Sequence, residues 1–247
     1  MKRMYYVLPA YNEAGNLGVL IERIYRAMVT IRRPYGLIFV IQGHDGSLEE
    51  VRAKTKKYAI LTLVRNFEHA IGVGPAFRTG FKLLPKDAEY VVTMDCDLNH
   101  DPKELSRLIQ VKEETHAQLV VGSRYISGGK MVNFPPWKRV LSYYTNRLLM
   151  IFTGIPIVDK SSGYRLMDAA LARRVSASLK EEGFGFYVEF LLTAYRFGYS
   201  IEEAPITFVR RVRGTSKMDI FQTLKSYMRL IVRSRSLARR APVVDRN

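Results

Sequence analysis

The sequence is poor in cysteine, and this limits how the protein can be stabilised. Cys96 is its single cysteine, so no disulfide can form within the chain. Disulfides are common in secreted domains and rare in reducing compartments. The cytoplasm is therefore the simplest expected location.

Long apolar runs are also missing. A helix that crosses a bilayer needs ~20 consecutive apolar residues. The nearest candidate, residues 148–152, is interrupted by Arg147 on one side and by Thr153-Gly154 on the other. The start of the chain, MKRMYYVLPAYNE, carries no apolar core of the kind found in secretory signal peptides. We therefore expect neither a membrane-spanning helix nor a signal peptide.

Acidic residues are scarce relative to basic ones. The chain has 39 Lys and Arg against 23 Asp and Glu, which gives a net charge of +16 and a pI of about 10.0. Such an excess favours polyanionic partners, which include nucleic acids, anionic membranes and phosphorylated substrates. From Pro205 onward, eleven basic residues stand against two acidic ones. The excess is thus concentrated near the carboxyl terminus.

The chain also lacks internal repeats and low-complexity linkers that would divide it into several units. Apolar residues make up 47% of the sequence, which is enough for one sizeable core. We expect a single domain over residues 1–237, followed by a basic, flexible tail over residues 238–247.

What is present is an alternation of strand and helix patterns. Short apolar runs predict five strands, at residues 4–9, 37–41, 59–64, 89–94 and 117–123. Between strands, apolar residues recur at helical spacing, as in residues 14–30 and in about ten residues after Gly74. Apolar strands separated by helices indicate an α/β fold in which a mostly parallel sheet is flanked by helices.

Two local signals predict where helices begin. Ser47 and Glu50 have the S-x-x-E spacing of a capping box. Asp101 and Pro102 have the order of an N-cap residue and a first-turn proline, and Glu104 adds an acid to that turn.

Two later segments, near residues 137–152 and 219–237, have the pattern of basic amphipathic helices. The first carries an apolar stripe formed by Trp137, Val140, Leu141, Tyr144, Leu148 and Phe152. The second carries a similar stripe formed by Ile220, Phe221, Leu224, Tyr227, Met228, Ile231 and Val232. Such stripes either lie in a membrane interface or pack on the core, and the pattern leaves both alternatives open.

Polar residues follow four of the predicted strands. They are Pro9, Tyr11 and Glu13 after the first strand, His44 and Asp45 after the second, Asp95, Asp97 and Asn99 after the fourth, and Arg124 after the fifth. The carboxyl ends of parallel strands meet at one edge of a sheet, where such folds bind ligands. We therefore expect these residues to surround one binding site.

The stretch YVVTMDCDLNHDP, residues 90–102, indicates a metal ion. Asp95 and Asp97 point the same way on an extended segment, and adjacent carboxylates repel unless a cation lies between them. Carboxylate and amide oxygens suit Mg²⁺ or Mn²⁺, which also bind substrate phosphates. With Asn99, the two acids predict a metal–diphosphate site. The alternative is a loop that only caps the next helix, a role that Asp101 already fills.

Seven motifs occur in the order found in the dolichol-phosphate mannose synthases: PAYNEAGNL, DGS, MDCDLNHDP, VVGSRYISGG, SSGYRLMD, YVEFL and FVRRVRGTSKM. Over roughly residues 5–218 the chain resembles these enzymes, which are inverting glycosyltransferases of family 2 with the Rossmann-like GT-A fold. The combination of GSRY…GG, SGYRL and RRVRGTSKM is typical of the polyprenyl-phosphate branch. The resemblance implies metal-dependent transfer of mannose from GDP-mannose to dolichyl or another polyprenyl phosphate.

The resemblance also implies roles for individual residues. Donor nucleotide binding falls to Pro9, Tyr11, Glu13, Asp45, Asp95, Arg211 and Lys217, the last two on the diphosphate. The metal, Mg²⁺ or Mn²⁺, falls to Asp95, Asp97 and Asn99. Acceptor phosphate binding falls to Arg124, Lys138, Arg139 and Ser142. The expected catalytic residues are Asp97, Arg124 and Glu189.

A lipid acceptor also implies a location. Because a substrate with a long lipid tail is met at the bilayer surface, we expect peripheral attachment on the cytoplasmic face of a membrane. Attachment is either direct or through an anchoring partner subunit. Some relatives continue past the SKM motif into transmembrane helices, whereas this chain continues into one amphipathic helix and the stretch RSLARRAPVVDRN.

The stretch QGHDGS departs from the family pattern, because His44 takes the place of the first of two adjacent acids. This leaves the donor base open, and a polyprenyl-phosphate glucosyltransferase that uses UDP-glucose, or an enzyme with another sugar donor, is the alternative. A nucleic-acid-binding module is a second alternative raised by the net charge. The chain carries no nucleic-acid-binding motif, so we expect no nucleic-acid partner.

Overall fold

The computed structural model describes residues 3–210 and 219–238, except for the side chains of residue 220 and residues 233–238. Arg211, Lys217 and residues 239–247 of the predicted tail therefore lie outside the described residues.

A seven-stranded sheet forms the centre of the fold. In spatial order its strands are β3 (Thr62–Phe67), β2 (Tyr35–Gln42), β1 (Arg3–Tyr11), β4 (Ala88–Thr93), β7 (Arg165–Asp168), β5 (Leu119–Ser123) and β8 (Ile201–Pro205). The strand β7 runs antiparallel to both of its neighbours, and the other neighbouring pairs are parallel. The predicted mostly parallel sheet is thus confirmed.

Eight helices flank the sheet in the described part of the chain. They are α1 (Leu17–Ile31), α2 (Ser47–Lys57), α3 (Val73–Lys82), α4 (Leu105–Thr115), α5 (Pro136–Thr153), α6 (Ala169–Ser176), α7 (Gly185–Arg196) and α8 (Ile220–Ala238). A short parallel pair, β6 (Lys130–Val132) and β9 (Thr207–Val209), lies apart from the main sheet. The segment 127–136 has a loop-like composition, and β6 forms within it because β9 supplies a partner.

The core has two layers, one on each face of the sheet. Successive side chains of a strand point to opposite faces, and β1 shows this clearly. Tyr5 and Val7 pack in the cluster that contains α3, α6 and α7, whereas Tyr6 and Leu8 pack in the cluster that contains α1 and α4. Packing on both faces fixes the strands, and their ends are therefore held in fixed positions.

All five predicted strands are present, but their bounds differ from the prediction, and two of these differences have a local cause. The first strand continues through Pro9 to Tyr11, and Pro9 is tolerated because β4 pairs with β1 only as far as Val7. The third strand was predicted at 59–64 but begins at Thr62. Ala59 has a left-handed backbone with φ of 51°, which places a turn where the prediction had extended chain.

The predicted capping box at Ser47 and Glu50 is wrong. Gly46 is the N-cap residue of α2, with φ of 88° and no side-chain cap. The Glu50 carboxylate instead accepts hydrogen bonds from the N–H groups of Gly15 and Gly18, at 2.7 and 2.8 Å. The two residues hold the loop after β1 rather than their own helix.

The predicted start at Asp101 is confirmed. Its carboxylate accepts a hydrogen bond of 3.0 Å from the N–H of Lys103, and Pro102 opens a 3-10 turn that leads into α4.

The predicted amphipathic helices α5 and α8 contact each other. Their apolar stripes differ in how much of each is buried. On α5 only Asn146 and Leu149 are buried, and most of the predicted stripe is exposed: Trp137, Val140, Leu141, Tyr144 and Leu148. On α8 the stripe is divided. Tyr227 and Ile231 are buried, whereas Phe221, Met228 and Val232 are exposed. Core packing therefore does not account for the α5 stripe.

None of the helices in the described part of the chain has the length and apolar character needed to cross a membrane.

Candidate active site

The sheet brings the predicted strand-end residues to one edge. The strands β2, β1 and β4 are neighbours and parallel, so their carboxyl ends lie side by side. Because β7 is antiparallel, its beginning at Arg165 lies at the same edge as the ends of β4 and β5. A hydrogen bond of 2.8 Å from Thr93 Oγ1 to the carbonyl of Gly163 fixes this arrangement.

The loops after β1 and β2 are tied together by Asp45. Its carboxylate accepts hydrogen bonds from the N–H groups of Ala14 at 2.8 Å and Ser47 at 3.1 Å. Burial alone would raise the pKa of Asp45, but the hydrogen bonds from Ser47 and Ala14 outweigh it and lower the pKa. Asp45 is thus held as a carboxylate. Gly43 is required next to it, since a Cβ at its φ of 93° would lie 2.1 Å from Asn12 Oδ1.

The other residues that we predicted to bind the nucleotide, Pro9, Tyr11 and Glu13, lie at the end of β1 or in the loop that follows it. Pro9 is partly buried within β1, and Tyr11, at the end of that strand, is 38% exposed. The Glu13 carboxylate accepts a 2.7 Å hydrogen bond from Asn16 Nδ2, and the Glu13 N–H donates to Ser47 Oγ at 3.2 Å. Hydrogen bonds therefore hold the loops after β1 and β2 together, and Tyr11 is accessible beside them.

The loop after β4 folds Asn99 back onto Asp97. Leu98 has a left-handed backbone with φ of 65°, which makes the turn. The Asp97 carboxylate accepts hydrogen bonds from the Asn99 N–H at 3.1 Å and from Asn99 Nδ2 at 3.0 Å, and both side chains are buried. Asn99 Oδ1 is buried and has no hydrogen-bond partner among the described residues. The turn therefore leaves one amide oxygen to be satisfied by something else.

Asp95 is held by Tyr187, from the second half of the chain, and lies close to His100 in its own loop. Its Oδ1 accepts a 2.7 Å hydrogen bond from the Tyr187 hydroxyl, and its Oδ2 lies 3.8 Å from His100 Nδ1. Burial raises the pKa of Tyr187, and the negative charge of Asp95 raises it further, so the phenol stays protonated and can donate. Burial lowers the pKa of His100 to about 4, so this imidazole is neutral at pH 7.

Arg165 contacts both the backbone and the ring of Tyr187. The Arg165 side chain is fully buried, donates a 2.8 Å hydrogen bond to the carbonyl of Tyr187, and lies 5.6 Å from the centre of the Tyr187 ring. Burial lowers its pKa to about 10, so it remains a cation at pH 7. Sequence reasoning assigned no role to Tyr187 or Arg165. The aromatic in YVEFL and the arginine in SGYRL are the only local signals that could have found them.

Arg124, which follows β5, is locked in a buried ion pair. Its Nε and Nη2 each lie 2.7 Å from one carboxylate oxygen of Asp159, and Nη2 also donates to Ser161 Oγ at 2.8 Å. Burial alone would lower the pKa of Arg124, but the Asp159 carboxylate more than offsets this and raises it. Arg124 is therefore a permanent cation in a fixed orientation.

Asp159 is in turn held from β8. The Glu203 carboxylate accepts hydrogen bonds from the N–H groups of Val158 at 2.7 Å and Asp159 at 2.9 Å. Asp159 itself is completely buried. Sequence reasoning missed Asp159, Ser161 and Glu203, because a polar loop such as IVDKSSG gives no local sign of which side chain is buried.

The remaining predicted acceptor residues lie on the first turns of α5. Lys138 and Arg139 are exposed, and Ser142 Oγ accepts a 2.5 Å hydrogen bond from the hydroxyl of Tyr125, the residue after Arg124. The structure thus connects Ser142 to the Arg124 region.

Glu189 is buried on α7, where its Oε2 accepts hydrogen bonds from the N–H groups of Lys180 at 2.9 Å and Glu181 at 2.8 Å. This oxygen holds the loop before α7. Arg211 and Lys217, predicted on the donor diphosphate, belong to the residues that the structure does not describe.

No group of three His, Cys, Asp or Glu side chains within residues 3–210 and 219–238 is placed to hold a metal ion. The oxygen-rich set after β4 consists of two aspartates and one asparagine amide.

Solved glycosyltransferase structures share this architecture. Mannosyl-3-phosphoglycerate synthase from Rubrobacter xylanophilus matches 99% of this chain and 77% of its own, with a TM-score of 0.70 and 15% identity. A mannosyltransferase from Pyrobaculum calidifontis, solved with GDP-Man and Mn²⁺, matches 97% of this chain and 64% of its own, with a TM-score of 0.61 and 16% identity. The fold is therefore the GT-A fold, as predicted.

Sequence comparison then gives the family. Residues 5–176 match the family described as glycosyl transferase family 2. Polyprenol monophosphomannose synthase from Mycolicibacterium smegmatis is 32% identical over 225 residues, which cover 88% of this chain and 82% of the relative. Undecaprenyl-phosphate mannosyltransferase from Micrococcus luteus is 32% identical over 223 residues, which cover 88% of each chain. The protein belongs to glycosyltransferase family 2 and is a glycosyltransferase.

Proposed function

We propose that this enzyme transfers mannose from GDP-mannose to dolichyl or another polyprenyl phosphate, with inversion at the anomeric carbon and with Mg²⁺ or Mn²⁺. The observation that carries the proposal is the 32% identity, over 88% of the chain, to two relatives named as mannosyltransferases acting on polyprenyl phosphates. The arrangement of charges at the sheet edge supports it.

The proposed reaction needs alignment and charge stabilisation rather than a strong base. A phosphate oxygen of the acceptor attacks the anomeric carbon of mannose as the bond to the GDP oxygen breaks, and GDP leaves with the bonding electrons. The lipid phosphate is already ionised near neutral pH, so no proton has to be removed. The enzyme must therefore hold the two substrates in line and stabilise the charge that develops on the diphosphate.

The residues after β4 fit a divalent cation. Asn99 Oδ1 is buried without a partner among the described residues, and it belongs to the side chain that contacts Asp97. A buried acceptor without a partner is costly, and a hard cation with oxygen ligands would satisfy it. We assign Asp95, Asp97 and Asn99 as the residues that would hold the ion. When bound, the ion neutralises charge on the leaving diphosphate.

The donor nucleotide is assigned to the loop pair after β1 and β2. Tyr11 offers an accessible ring, and Asp45 and Glu13 are fixed carboxylates beside it. Carboxylates can accept hydrogen bonds from the N–H groups of a base or from ribose hydroxyls. The assignment of Arg211 and Lys217 to the diphosphate rests on the family motif alone.

The acceptor phosphate is assigned to Arg124. Three of its five N–H donors go to Asp159 and Ser161. The two N–H groups on Nη1 make no hydrogen bond within the described part of the chain, and they can bind a phosphate oxygen. Lys138 and Arg139, exposed on the first turn of α5, add positive charge on the same helix as Ser142.

We place the enzyme on the cytoplasmic face of a membrane, and the exposed apolar side chains of α5 and α8 support the peripheral attachment itself. Ile151 is 65% exposed and Phe221 is 86% exposed, and basic residues lie on the same two helices. Apolar residues flanked by Lys and Arg are typical of helices that lie in an anionic membrane interface. Co-sedimentation with anionic liposomes at low salt should recover the protein with the lipid, and protein left in the supernatant would contradict the attachment.

A donor panel tests the proposed reaction. The purified enzyme is incubated with GDP-mannose, UDP-glucose and other GDP- and UDP-sugars, each with a short polyprenyl phosphate in detergent, and the lipid product is identified by mass spectrometry. We expect a mannosyl lipid from GDP-mannose, its loss with EDTA, and its return with Mg²⁺ or Mn²⁺. Transfer from UDP-glucose alone would replace the donor assignment, and no transfer from any donor would overturn the function.

A further inference from the structure

Asn146 is the buried polar side chain of α5, and all of its hydrogen-bonding capacity is used. Its Oδ1 accepts from the N–H groups of Lys160 at 2.8 Å and Ser161 at 3.2 Å. Its Nδ2 donates to Ser161 Oγ at 3.0 Å and to the carbonyl of Ser142 at 3.0 Å. An amide side chain has two acceptor sites and two donor hydrogens, so no further partner can be added.

Ser161 connects Asn146 to the arginine of the acceptor side. Its hydroxyl oxygen lies 2.8 Å from Arg124 Nη2 and 3.0 Å from Asn146 Nδ2, and it donates to Asp159 Oδ1 at 3.3 Å. Asp159 and Ser161 thus both accept hydrogen bonds from Nη2 of the guanidinium, and Asn146 fixes the hydroxyl of Ser161. Ser161 is therefore the contact through which Asn146 can act on the Arg124 guanidinium.

A second series of contacts connects Arg124 to α5 through Tyr125 and Ser142. Tyr125, which follows Arg124, donates from its hydroxyl to Ser142 Oγ, and the Ser142 carbonyl accepts from Asn146. The contacts therefore form a closed ring from Arg124 through Ser161, Asn146, Ser142 and Tyr125 back to Arg124. Two residues of this ring belong to α5, whose outer face is exposed and apolar.

We propose that Asn146 is a positioning residue for the transfer reaction. It transmits the position of α5 to the Arg124 guanidinium, and so sets the direction in which Nη1 meets the acceptor phosphate. The assignment rests on the proposed function, in which Arg124 binds that phosphate. Asn146 does not touch substrate, so its loss should weaken acceptor binding and leave donor binding nearly unchanged.

The test compares Asn146→Ala, Ser161→Ala and the double variant with the wild-type enzyme. Initial rates are measured with GDP-mannose and a fifteen-carbon polyprenyl phosphate in detergent, so that membrane attachment plays no part. We expect each single variant to raise the acceptor KM about 10-fold, because Ser161→Ala removes a hydrogen bond to the charged guanidinium and Asn146→Ala removes the amide that fixes that hydroxyl. The donor KM should stay within about two-fold.

The double variant separates positioning from general damage. If Asn146 acts through Ser161, the double variant should be no worse than the poorer single variant, since both remove the same connection. Thr153→Val is the matched control, because Thr153 Oγ1 bonds only back to the Leu149 carbonyl in the same helix. This control should have the wild-type acceptor KM.

Three outcomes would overturn the assignment: an unchanged acceptor KM in Asn146→Ala, an equal rise in donor and acceptor KM, or single-variant effects that multiply in the double variant. If Asn146→Ala does not fold, as judged by thermal unfolding, Asn146→Asp takes its place, because it keeps an oxygen that accepts from the N–H groups of Lys160 and Ser161 and loses the Nδ2 donor to Ser161 Oγ. An inactive wild-type enzyme would overturn the proposed function and the assignment with it. An active wild-type enzyme with unchanged variants would overturn only the role of Asn146.

Discussion

The proposed donor side, which includes Asp95, Asp97 and Asn99, and the proposed acceptor side, around Arg124, balance their charges in different ways. On the donor side, Asp97 is held by amide groups of Asn99, and a buried amide oxygen of the same residue remains without a partner among the described residues. On the acceptor side, Arg124 is already neutralised by Asp159. In the proposed assignment a cationic ligand completes the donor side, whereas the acceptor side presents a cation that is already oriented by its ion pair.

This difference predicts different costs of substitution. A residue whose main role is to bind a ligand contributes mainly to activity, because it adds little to the free energy of unfolding of the ligand-free protein. A residue in a buried ion pair contributes to stability as well, because its loss leaves a charge without compensation. The following substitutions test this contrast.

Asp97→Ala should have the largest effect on activity. We expect a loss of at least ~10³-fold in kcat, comparable to losing a main electrostatic group of an active site. The melting temperature should fall by no more than a few degrees. Asp101→Ser is the control, because a serine oxygen can still cap the Lys103 N–H. An Asp97→Ala enzyme with wild-type kcat would refute the metal assignment.

Asp159→Asn should have the largest effect on stability. Removing one partner of a buried pair typically costs ~3–5 kcal/mol, which urea unfolding can measure. Glu113→Gln is the control, since Glu113 pairs with Arg33 on the surface with its side chain 60% exposed. Exposed pairs contribute ~0–1 kcal/mol. Equal losses in the two variants would show that burial adds nothing to the contribution of the Arg124–Asp159 pair to stability.

Tyr187→Phe should have an intermediate effect on the donor side. The variant loses the 2.7 Å hydrogen bond to Asp95 but keeps the ring that packs on Arg165. We expect kcat to fall about 10-fold, which corresponds to ~1.4 kcal/mol of transition-state stabilisation. Tyr6→Phe, which removes another buried hydroxyl that bonds to Met28 Sδ, should keep the wild-type kcat. Wild-type kcat in Tyr187→Phe would show that Asp95 needs no such support.

Lys160 should give the smallest effect, a dependence of stability on pH. Burial lowers its pKa from 10.5 to about 8, so between these values the unfolded chain binds more protons than the folded one. The free energy of unfolding should therefore rise as the pH is raised from 8 to 10.5, on the order of 1 kcal/mol. Urea unfolding of Lys160→Met should lack this rise. An identical rise in the variant would assign it to other groups.

Much of the donor side could be predicted from local sequence. The apolar run that ends in Asp95 and Asp97 marks a strand end, and Asp101-Pro102 marks the helix that follows. These signals work because the residues concerned act within a few positions of one another. The capping box at Ser47 failed because Glu50 satisfies backbone groups 32 and 35 residues away.

The acceptor side depended on tertiary contacts that local sequence does not encode. Arg124 was predicted, but its partner Asp159 is 35 residues away. The motif YVEFL shows the difficulty in another way. Residues two apart on a helix point in nearly opposite directions, so Tyr187 reaches Asp95 while Glu189 contacts the loop at 180–181. A catalytic role for Glu189 stays a prediction.

The reversed strand β7 has a consequence for how the enzyme is made. It lies between β4 and β5, so these two strands have no common partner until residues 165–168 have left the ribosome. The strands β1 to β4 can assemble first, since each pairs with a neighbour already synthesised. During translation these four strands can therefore pair early, whereas the pairing of β5 with the rest of the sheet waits for one four-residue strand. Until then the edges of β4 and β5 are open to wrong pairing with other strands.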